Sequence, residues 1–139
     1  MTKRILLILI GFSLLASRCR DRNNGIVPSV PVNVTINVLS PEFFDLSVPG
    51  GWVYITGGSR GIIVYRKTQD EFIAIERHSS YQPEDNCAVV VMDDGVILDD
   101  PCSDSQWLIM DATIVNGPAS MPLRTYETSY QEPYLYINN

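Results

Sequence analysis

The residues best suited to chemistry lie in two polar loops on either side of a predicted hairpin. The first loop carries Glu76 and His78, and the second carries Asp100 and Asp104. One imidazole with two or three carboxylates can hold a divalent metal ion if the two loops converge. The alternative is a set of solvated acidic side chains beside an exposed loop histidine, in a chain with 16 acidic residues. Because His78 is the single histidine, acid–base catalysis has little support. No catalytic residue is assigned, and the pattern favours a chain that is not an enzyme.

The hairpin between these loops is predicted from two apolar, β-branched runs that flank Asp94-Gly95. With Asp94-Gly95 as a two-residue turn, Asp93 pairs with Val96 and Cys87 lies opposite Cys102. The two cysteines could then be buried free thiols, a metal-binding pair or a disulfide. We expect the disulfide if the chain is exported, and closing a loop of about 15 residues would contribute at most ~3 kcal/mol.

The second loop and a later segment carry a family resemblance. The loop reads Asp100-Pro101-Cys102-Ser103-Asp104-Ser105-Gln106-Trp107, and residues 117–126 contain a Gly-Pro-Ala and a Pro-Leu. In order and spacing these motifs resemble Rieske-type iron–sulfur domains, whose second loop has the form Cys-Pro-x-His-Gly-Ser-x-Phe. The resemblance covers most of residues 50–139. It implies an all-β domain over residues 31–139, a Rieske-like antiparallel β-sandwich with a small hairpin subdomain that carries two loops.

The resemblance also implies where cluster ligands would lie. The equivalent positions are Glu76, His78, Asp100 and Ser103. A Rieske cluster is held by two thiolates and two imidazoles, so only His78 is of the family's ligand type. We therefore expect a degenerate iron–sulfur site without a cofactor, in a structural or interaction module whose protein partner is unknown.

Two alternatives keep a cofactor in these loops. One is electron transfer through a [2Fe–2S] cluster with unorthodox ligands. Its ligands would come from five residues, Glu76, His78, Asp100, Cys87 and Cys102. The other is a single divalent metal, and its ligands would come from His78, Glu76, Asp100 and Asp104.

The resemblance bears on the cysteines as well. In Rieske proteins of respiratory cytochrome complexes, a disulfide joins the two cluster loops. Cys102 matches one of its cysteines, whereas the other falls at Tyr81. By this comparison, Cys87 would be a displaced substitute for the second cysteine.

The start of the chain has the pattern of an export signal, a basic lead followed by a short apolar run. It ends at Leu15-Ala16-Ser17-Arg18-Cys19, which resembles a bacterial lipoprotein processing site. The resemblance implies that residues 1–18 are removed and that Cys19 is acylated. Acyl chains would anchor the protein to a bacterial membrane in the cell envelope, facing the periplasm or the cell surface. Residues 19–30 are polar and aperiodic, and they are predicted to be a flexible tether.

The net charge narrows the class of partner. Removing residues 1–18 takes away Lys3, Arg4 and Arg18, which leaves 7 basic against 16 acidic residues and a net charge of −9. Nucleic-acid binding needs a basic surface, so we expect no nucleic-acid partner. Membrane association should then depend on the lipid anchor rather than on attraction to anionic lipids.

The remainder of the chain shows the alternation of short β-strands rather than helical periodicity. Val32, Val34, Ile36 and Val38 alternate with polar residues, as in a strand with one buried face. Further strands are predicted over residues 52–56, 61–66, 71–76, 126–130 and 134–137. Tyrosines of the last two strands, Tyr126 among them, are assigned to core and cross-strand packing.

One glycine-rich segment has a second interpretation. Thr56-Gly57-Gly58-Ser59-Arg60-Gly61-Ile62 is similar to the nucleotide-binding turn of short-chain dehydrogenases. That turn functions where a strand meets the N-terminus of a helix. Here the β-branched run 62–65 follows and no βαβ pattern is present, so we predict a hairpin turn.

Overall fold

The computed structural model describes residues 25–139, which contain ten antiparallel strands and two short 3₁₀ helices. The strands are β1 (Asn33–Asn37), β2 (Trp52–Ile55), β3 (Ile62–Arg66), β4 (Phe72–Glu76), β5 (Val90–Val91), β6 (Ile97–Asp99), β7 (Gln106–Leu108), β8 (Ile114–Asn116), β9 (Thr125–Gln131) and β10 (Tyr134–Asn138). The 3₁₀ helices are Pro41–Ser47 and Pro83–Asp85. Within residues 25–139, no helix is both long enough and apolar enough to span a bilayer.

Six strands form the larger sheet, in the order β1-β10-β9-β4-β3-β2. The alternation predicted for the first strand is confirmed, because Val32, Ile36 and Val38 are buried while Asn33 and Thr35 are exposed. The predicted strands 52–56, 61–66, 71–76, 126–130 and 134–137 are all present, with ends that differ by at most one residue.

Strand β3 is buried on both faces, which explains its uninterrupted run of β-branched residues. Ile62 and Val64 face one hydrophobic core, which is formed by side chains of the larger sheet together with Leu46. Ile63 points the other way and joins a second core with Ile75 and Trp107. The larger sheet is therefore covered on both sides at its centre.

The second core lies under a smaller sheet, in the order β5-β6-β7-β8. Leu98 pairs with Trp107 at its centre, and both side chains are fully buried. The Trp107 Nε1–H donates to the Met121 carbonyl at 3.1 Å, which fastens the segment after β8 to the sheet. Strands β7 and β8 were not predicted, since each has three residues and neither shows a sustained alternation.

The hairpin of β5 and β6 has the predicted register, with Val90 opposite Asp99 and Val91 opposite Leu98. The prediction of a two-residue turn, with Asp93 paired to Val96, is wrong. The turn spans four residues, because the Asp94 carboxylate accepts from the backbone N–H groups of Val96 (2.8 Å) and Ile97 (3.0 Å). An aspartate that caps its own turn in this way favours the longer loop.

The glycine-rich segment joins β2 to β3, as predicted for a hairpin turn. Ile55 pairs with Ile62 across this turn, and a strand follows it where a nucleotide-binding turn would have a helix. The dehydrogenase interpretation is therefore excluded.

The signal segment 1–18, the lipidation site Cys19 and residues 20–24 of the tether lie outside the described residues. At the described end of the tether, the Arg124 guanidinium donates to the carbonyls of Val27 (2.7 Å) and Pro28 (2.8 Å). These two hydrogen bonds hold residues 27–28 against the β domain.

Candidate functional site

Glu76 is the last residue of β4, and its carboxylate is fully buried. Oε2 accepts from the Ser59 N–H at 2.7 Å and from the Tyr126 hydroxyl at 2.6 Å. Oε1 accepts from the N–H groups of Arg60 at 3.0 Å and of His78 at 2.8 Å. All four partners are donors, so the two oxygens serve as acceptors only. Hydrogen bonds of this kind replace the water that a buried carboxylate loses.

The glycine turn is shaped to reach this carboxylate. Gly58 has φ +61°, and a Cβ at this position would overlap Glu76 Oε2 and the Tyr126 hydroxyl. Glycine alone combines this left-handed backbone with the absence of a side chain. The turn can therefore bring the N–H groups of Ser59 and Arg60 directly onto Glu76.

His78 is also buried, with 1% of its surface exposed, so the expectation of an exposed loop histidine is wrong. Its Nε2 lies 2.8 Å from the Pro83 carbonyl, which can only accept, so Nε2 carries a proton. Its Nδ1 lies 2.8 Å from the Ser59 hydroxyl. Both ring nitrogens thus have protein partners, and the histidine ties the glycine turn to the 3₁₀ helix Pro83–Asp85.

Asp100 holds the second loop to the first. It is 1% exposed, and its Oδ2 accepts from the hydroxyls of Ser79 at 2.7 Å and Ser103 at 2.9 Å. Its Oδ1 accepts from the Cys102 N–H at 3.0 Å. The bond to Ser79 crosses between the loops, so the predicted convergence of the two loops is confirmed.

A disulfide joins Cys87 to Cys102, with Cα atoms 6.2 Å apart, and confirms the predicted pairing. Cys87 is buried, whereas Cys102 is exposed at the surface of the second loop. The bond crosses the base of the β5–β6 hairpin, where the hairpin register places the two residues opposite each other. Like the hydrogen bond between Asp100 and Ser79, the disulfide ties the second loop to the segment that follows the first loop.

The residues proposed as a mononuclear site do not form a common group of ligand atoms. Within residues 25–139, the grouping of histidine, cysteine and carboxylate atoms within 4.8 Å of one another consists of Cys87, Asp100 and Cys102. Glu76 and His78 instead face the glycine turn, and Asp104 is exposed. The expectation that Glu76 and Asp100 are solvated is also wrong, because both are buried.

The four positions that match Rieske ligands do not fit the standard cluster. A carboxylate, an imidazole, a second carboxylate and a hydroxyl stand where two thiolates and two imidazoles are needed. Each of these side chains has hydrogen-bond partners, and in the described part of the chain no buried side-chain nitrogen or oxygen lacks one. The types of these four side chains do not suit a [2Fe–2S] cluster held in the usual way, and their existing hydrogen bonds compete with metal coordination.

Sequence reasoning missed four residues of this network. The bonds to Glu76 or Asp100 span 17, 16, 21 and 50 positions of the sequence, from Ser59, Arg60, Ser79 and Tyr126. Tyr126 was assigned to packing, which is correct for its ring, because it belongs to the first core. A possible signal was the glycine turn itself, since glycines in a hairpin turn often permit a close backbone approach.

Alkaline pH should test the bond between Tyr126 and Glu76. Burial, the hydrogen bond to Glu76 and the charge of Glu76 raise the pKa of Tyr126 above its ordinary value of 10.0. Above pH 10 the unfolded chain loses this phenolic proton while the folded chain keeps it, so stability falls as pH rises. We expect Tyr126→Phe to lower the free energy of unfolding by about 1.5 kcal/mol at neutral pH and to make the alkaline decline shallower. Urea unfolding across pH would measure both.

The control is Tyr136→Phe, which alters a tyrosine that is 38% exposed. It should change neither the neutral-pH stability nor the alkaline slope. An alkaline slope in Tyr126→Phe equal to that of the unmodified chain would contradict the assignment.

No protein-family model matches the chain, and no curated protein matches it. Among solved structures, a chain in the complex of reduced oxygenase and oxidized ferredoxin in carbazole 1,9a-dioxygenase is 16% identical, with a TM-score of 0.51 over 80% of this chain and 94% of that one. The ferredoxin of carbazole 1,9a-dioxygenase from Nocardioides aromaticivorans IC177 is 16% identical, with a TM-score of 0.49 over 78% and 97% of the two chains. A putative NADH-dependent nitrite reductase small subunit from Mycobacterium tuberculosis is 13% identical, with a TM-score of 0.45 over 78% and 96%. The first of these likenesses has a TM-score above 0.5, and the chain has an all-β, Rieske-like fold.

Proposed function

We propose that this protein is a lipid-anchored, Rieske-like module that has lost the iron–sulfur cluster and serves a structural or interaction role in the cell envelope. The observation that carries the proposal is that the side chains at the ligand-equivalent positions are hydrogen-bonded within the protein. Glu76 and Asp100 accept hydrogen bonds from the chain itself, and the nearby cysteines are bonded to each other.

The two carboxylates have a structural task that competes with metal binding. To coordinate iron, Glu76 would have to give up hydrogen bonds from Ser59, Arg60, His78 or Tyr126. The donors of His78 and Tyr126 would then be buried without a partner, which costs about 1–3 kcal/mol per group. This competition favours loops that support each other rather than a cofactor.

The anchor is proposed on sequence alone. The apolar segment before Cys19 and the acidic character of the rest of the chain support attachment through acyl chains rather than through charge. The partner of such a module is an unidentified protein, and nucleic acid is not expected.

The test is elemental analysis of the full chain, purified in detergent without oxygen. We expect a colourless protein with neither iron nor acid-labile sulfide, and no EPR signal after reduction with dithionite. Stoichiometric iron and sulfide would overturn the proposal. They would instead support electron transfer through a cluster with ligands drawn from Glu76, His78, Asp100, Cys87 and Cys102.

The same samples test a second candidate, a single divalent ion bound after reduction of the disulfide. The observation in its favour is that Cys87, Asp100 and Cys102 bring their ligand atoms within 4.8 Å of one another. Two thiolates and a carboxylate suit zinc. Metal without sulfide, found in protein treated with a thiol reductant and absent from oxidised protein, would support this candidate over a cofactor-free module.

A further inference from the structure

An open pocket of about 500 Å³ lies beside the turn between β2 and β3. It is lined by residues 54–61 together with Arg77. Residues 25–139 contain five of the ten basic side chains of the sequence and fifteen of the sixteen acidic ones. Two of those five basic residues line this pocket, and none of the fifteen acidic ones does. In so acidic a chain, this is a local concentration of positive charge.

Arg77 is held in place rather than mobile in solvent. Its Nε–H donates to the Val89 carbonyl at 3.0 Å, and its guanidinium carbon lies 4.1 Å from the centre of the Tyr54 ring. These contacts leave its two terminal NH₂ groups without a hydrogen-bond acceptor among the described residues. Because the Nε–H group and one face of the guanidinium are already in contact with the protein, the two terminal NH₂ groups point outward side by side. Two parallel N–H donors of this kind match two oxygens of a phosphate.

The other cations of the domain have different roles. Arg66 is buried and donates to the carbonyls of residues 46, 68 and 69. Arg124 donates to the carbonyls of residues 27 and 28. Lys67 is exposed and lies outside the pocket. Arg60 is exposed, and among the described residues its side chain has no hydrogen-bond acceptor. Within residues 25–139, Arg60 and Arg77 are therefore the arginines available to an external anion.

Two backbone N–H groups of the turn are not available to an anion. The N–H groups of Ser59 and Arg60 point inward to Glu76 and are already occupied. In nucleotide-binding turns the backbone N–H groups would instead face the phosphate. Recognition here would rest on the two guanidinium groups, and Gly57 and Gly61 line the same pocket.

We propose that this pocket binds the phosphate group of a small phosphorylated molecule, between Arg77 and Arg60. The site does not depend on whether the loops at Glu76 and Asp100 ever held a cluster. A phosphate group could belong to a soluble metabolite or to a lipid headgroup. The net negative charge of the chain opposes approach to an anionic bilayer, which favours the soluble source.

The experiment titrates the full chain in detergent with inorganic phosphate, glycerol 3-phosphate and phosphatidic acid dispersed in the same detergent. Calorimetry measures affinity, and the backbone amide NMR signals of Gly57 and Gly61 report the location. We expect saturable binding of glycerol 3-phosphate with shifts at both glycines. Shifts with phosphatidic acid as well would assign a lipid source to the same site, and shifts with the soluble phosphates alone would assign a free one.

Variants separate the site from general charge. Arg77→Gln should weaken binding at least about tenfold, since a charge-assisted hydrogen-bonded pair is lost. Arg77→Lys should retain part of the affinity, because lysine keeps the positive charge but lacks the paired N–H donors of a guanidinium. Arg60→Gln should also weaken binding, and Lys67→Gln, which removes an equal charge elsewhere, should not.

Absence of saturable binding by all three probes would overturn the proposal. Equal losses in Lys67→Gln and Arg77→Gln would overturn it too, since attraction would then be nonspecific. If Arg77→Gln does not fold, the Arg60→Gln and Arg77→Lys results decide the question in the same way.

Discussion

Replacing Glu76 with alanine is expected to lower the free energy of unfolding by about 3 kcal/mol or more. The substitution removes the acceptor of four hydrogen bonds. It leaves the donors of His78 and Tyr126 buried without a partner, and those of Ser59 and Arg60 part-buried without one. Urea unfolding followed by circular dichroism would measure the loss. Hydrogen exchange at the Ser59 and Arg60 amides should accelerate, because these amides are otherwise bonded to the carboxylate.

Two further variants test the assignment at Glu76. Glu71→Ala removes an exposed carboxylate just before the same strand, and it should be nearly neutral. Glu76→Gln keeps the shape but places an NH₂ group against two donors, so it should fall between alanine and the native residue. If Glu76→Ala were no more destabilising than Glu71→Ala, the carboxylate would not hold the turn.

Removing the disulfide should have the second large effect. The bond closes a loop with a sequence separation of 15, for which chain entropy predicts about 3 kcal/mol of stabilisation. We expect the double variant Cys87→Ala/Cys102→Ala to unfold at correspondingly lower urea concentration. A smaller part of the loss would come from packing, since Cys87 is buried.

A thiol reductant is the matched control for this prediction. It should shift the unfolding midpoint of the native chain toward that of the double variant and leave the variant itself unchanged. After unfolding, the single variant Cys102→Ser should show one thiol more than the native chain to a thiol-specific reagent, at Cys87. A native chain in which Cys87 and Cys102 both react without reductant would refute the bond.

The role of Glu76 in the structure differs from the role that its loop sequence predicts. The pattern Glu76-x-His78 resembles a damaged ligand motif, which predicts partners in the second loop. In the structure both side chains turn toward the β2–β3 turn instead. Metal-ligand spacing could not reveal this, because three of the four donors to Glu76 are backbone N–H groups, which every sequence contains.

The second loop was predicted more fully than the first. The hairpin register and the export pattern together indicated the Cys87–Cys102 bond, which the structure contains. The burial of Asp100 could not be predicted in the same way, since it depends on Ser79 from the other loop. A lone aspartate in a polar loop is usually exposed, and only a donor supplied from elsewhere makes its burial tolerable.

The sequence by itself determined the all-β class, most strand positions and the hairpin register, and it favoured the Cys87–Cys102 disulfide over free thiols or a metal-binding pair. These features are local, because side-chain alternation and turn residues act within a few positions. Only the tertiary structure decided that Glu76, His78 and Asp100 are buried and fully bonded, and that Arg60 and Arg77 share one pocket. The physical reason is that a buried polar group is stabilised by whichever donors the fold brings to it. Those donors lie up to 50 positions away, beyond the reach of any local pattern.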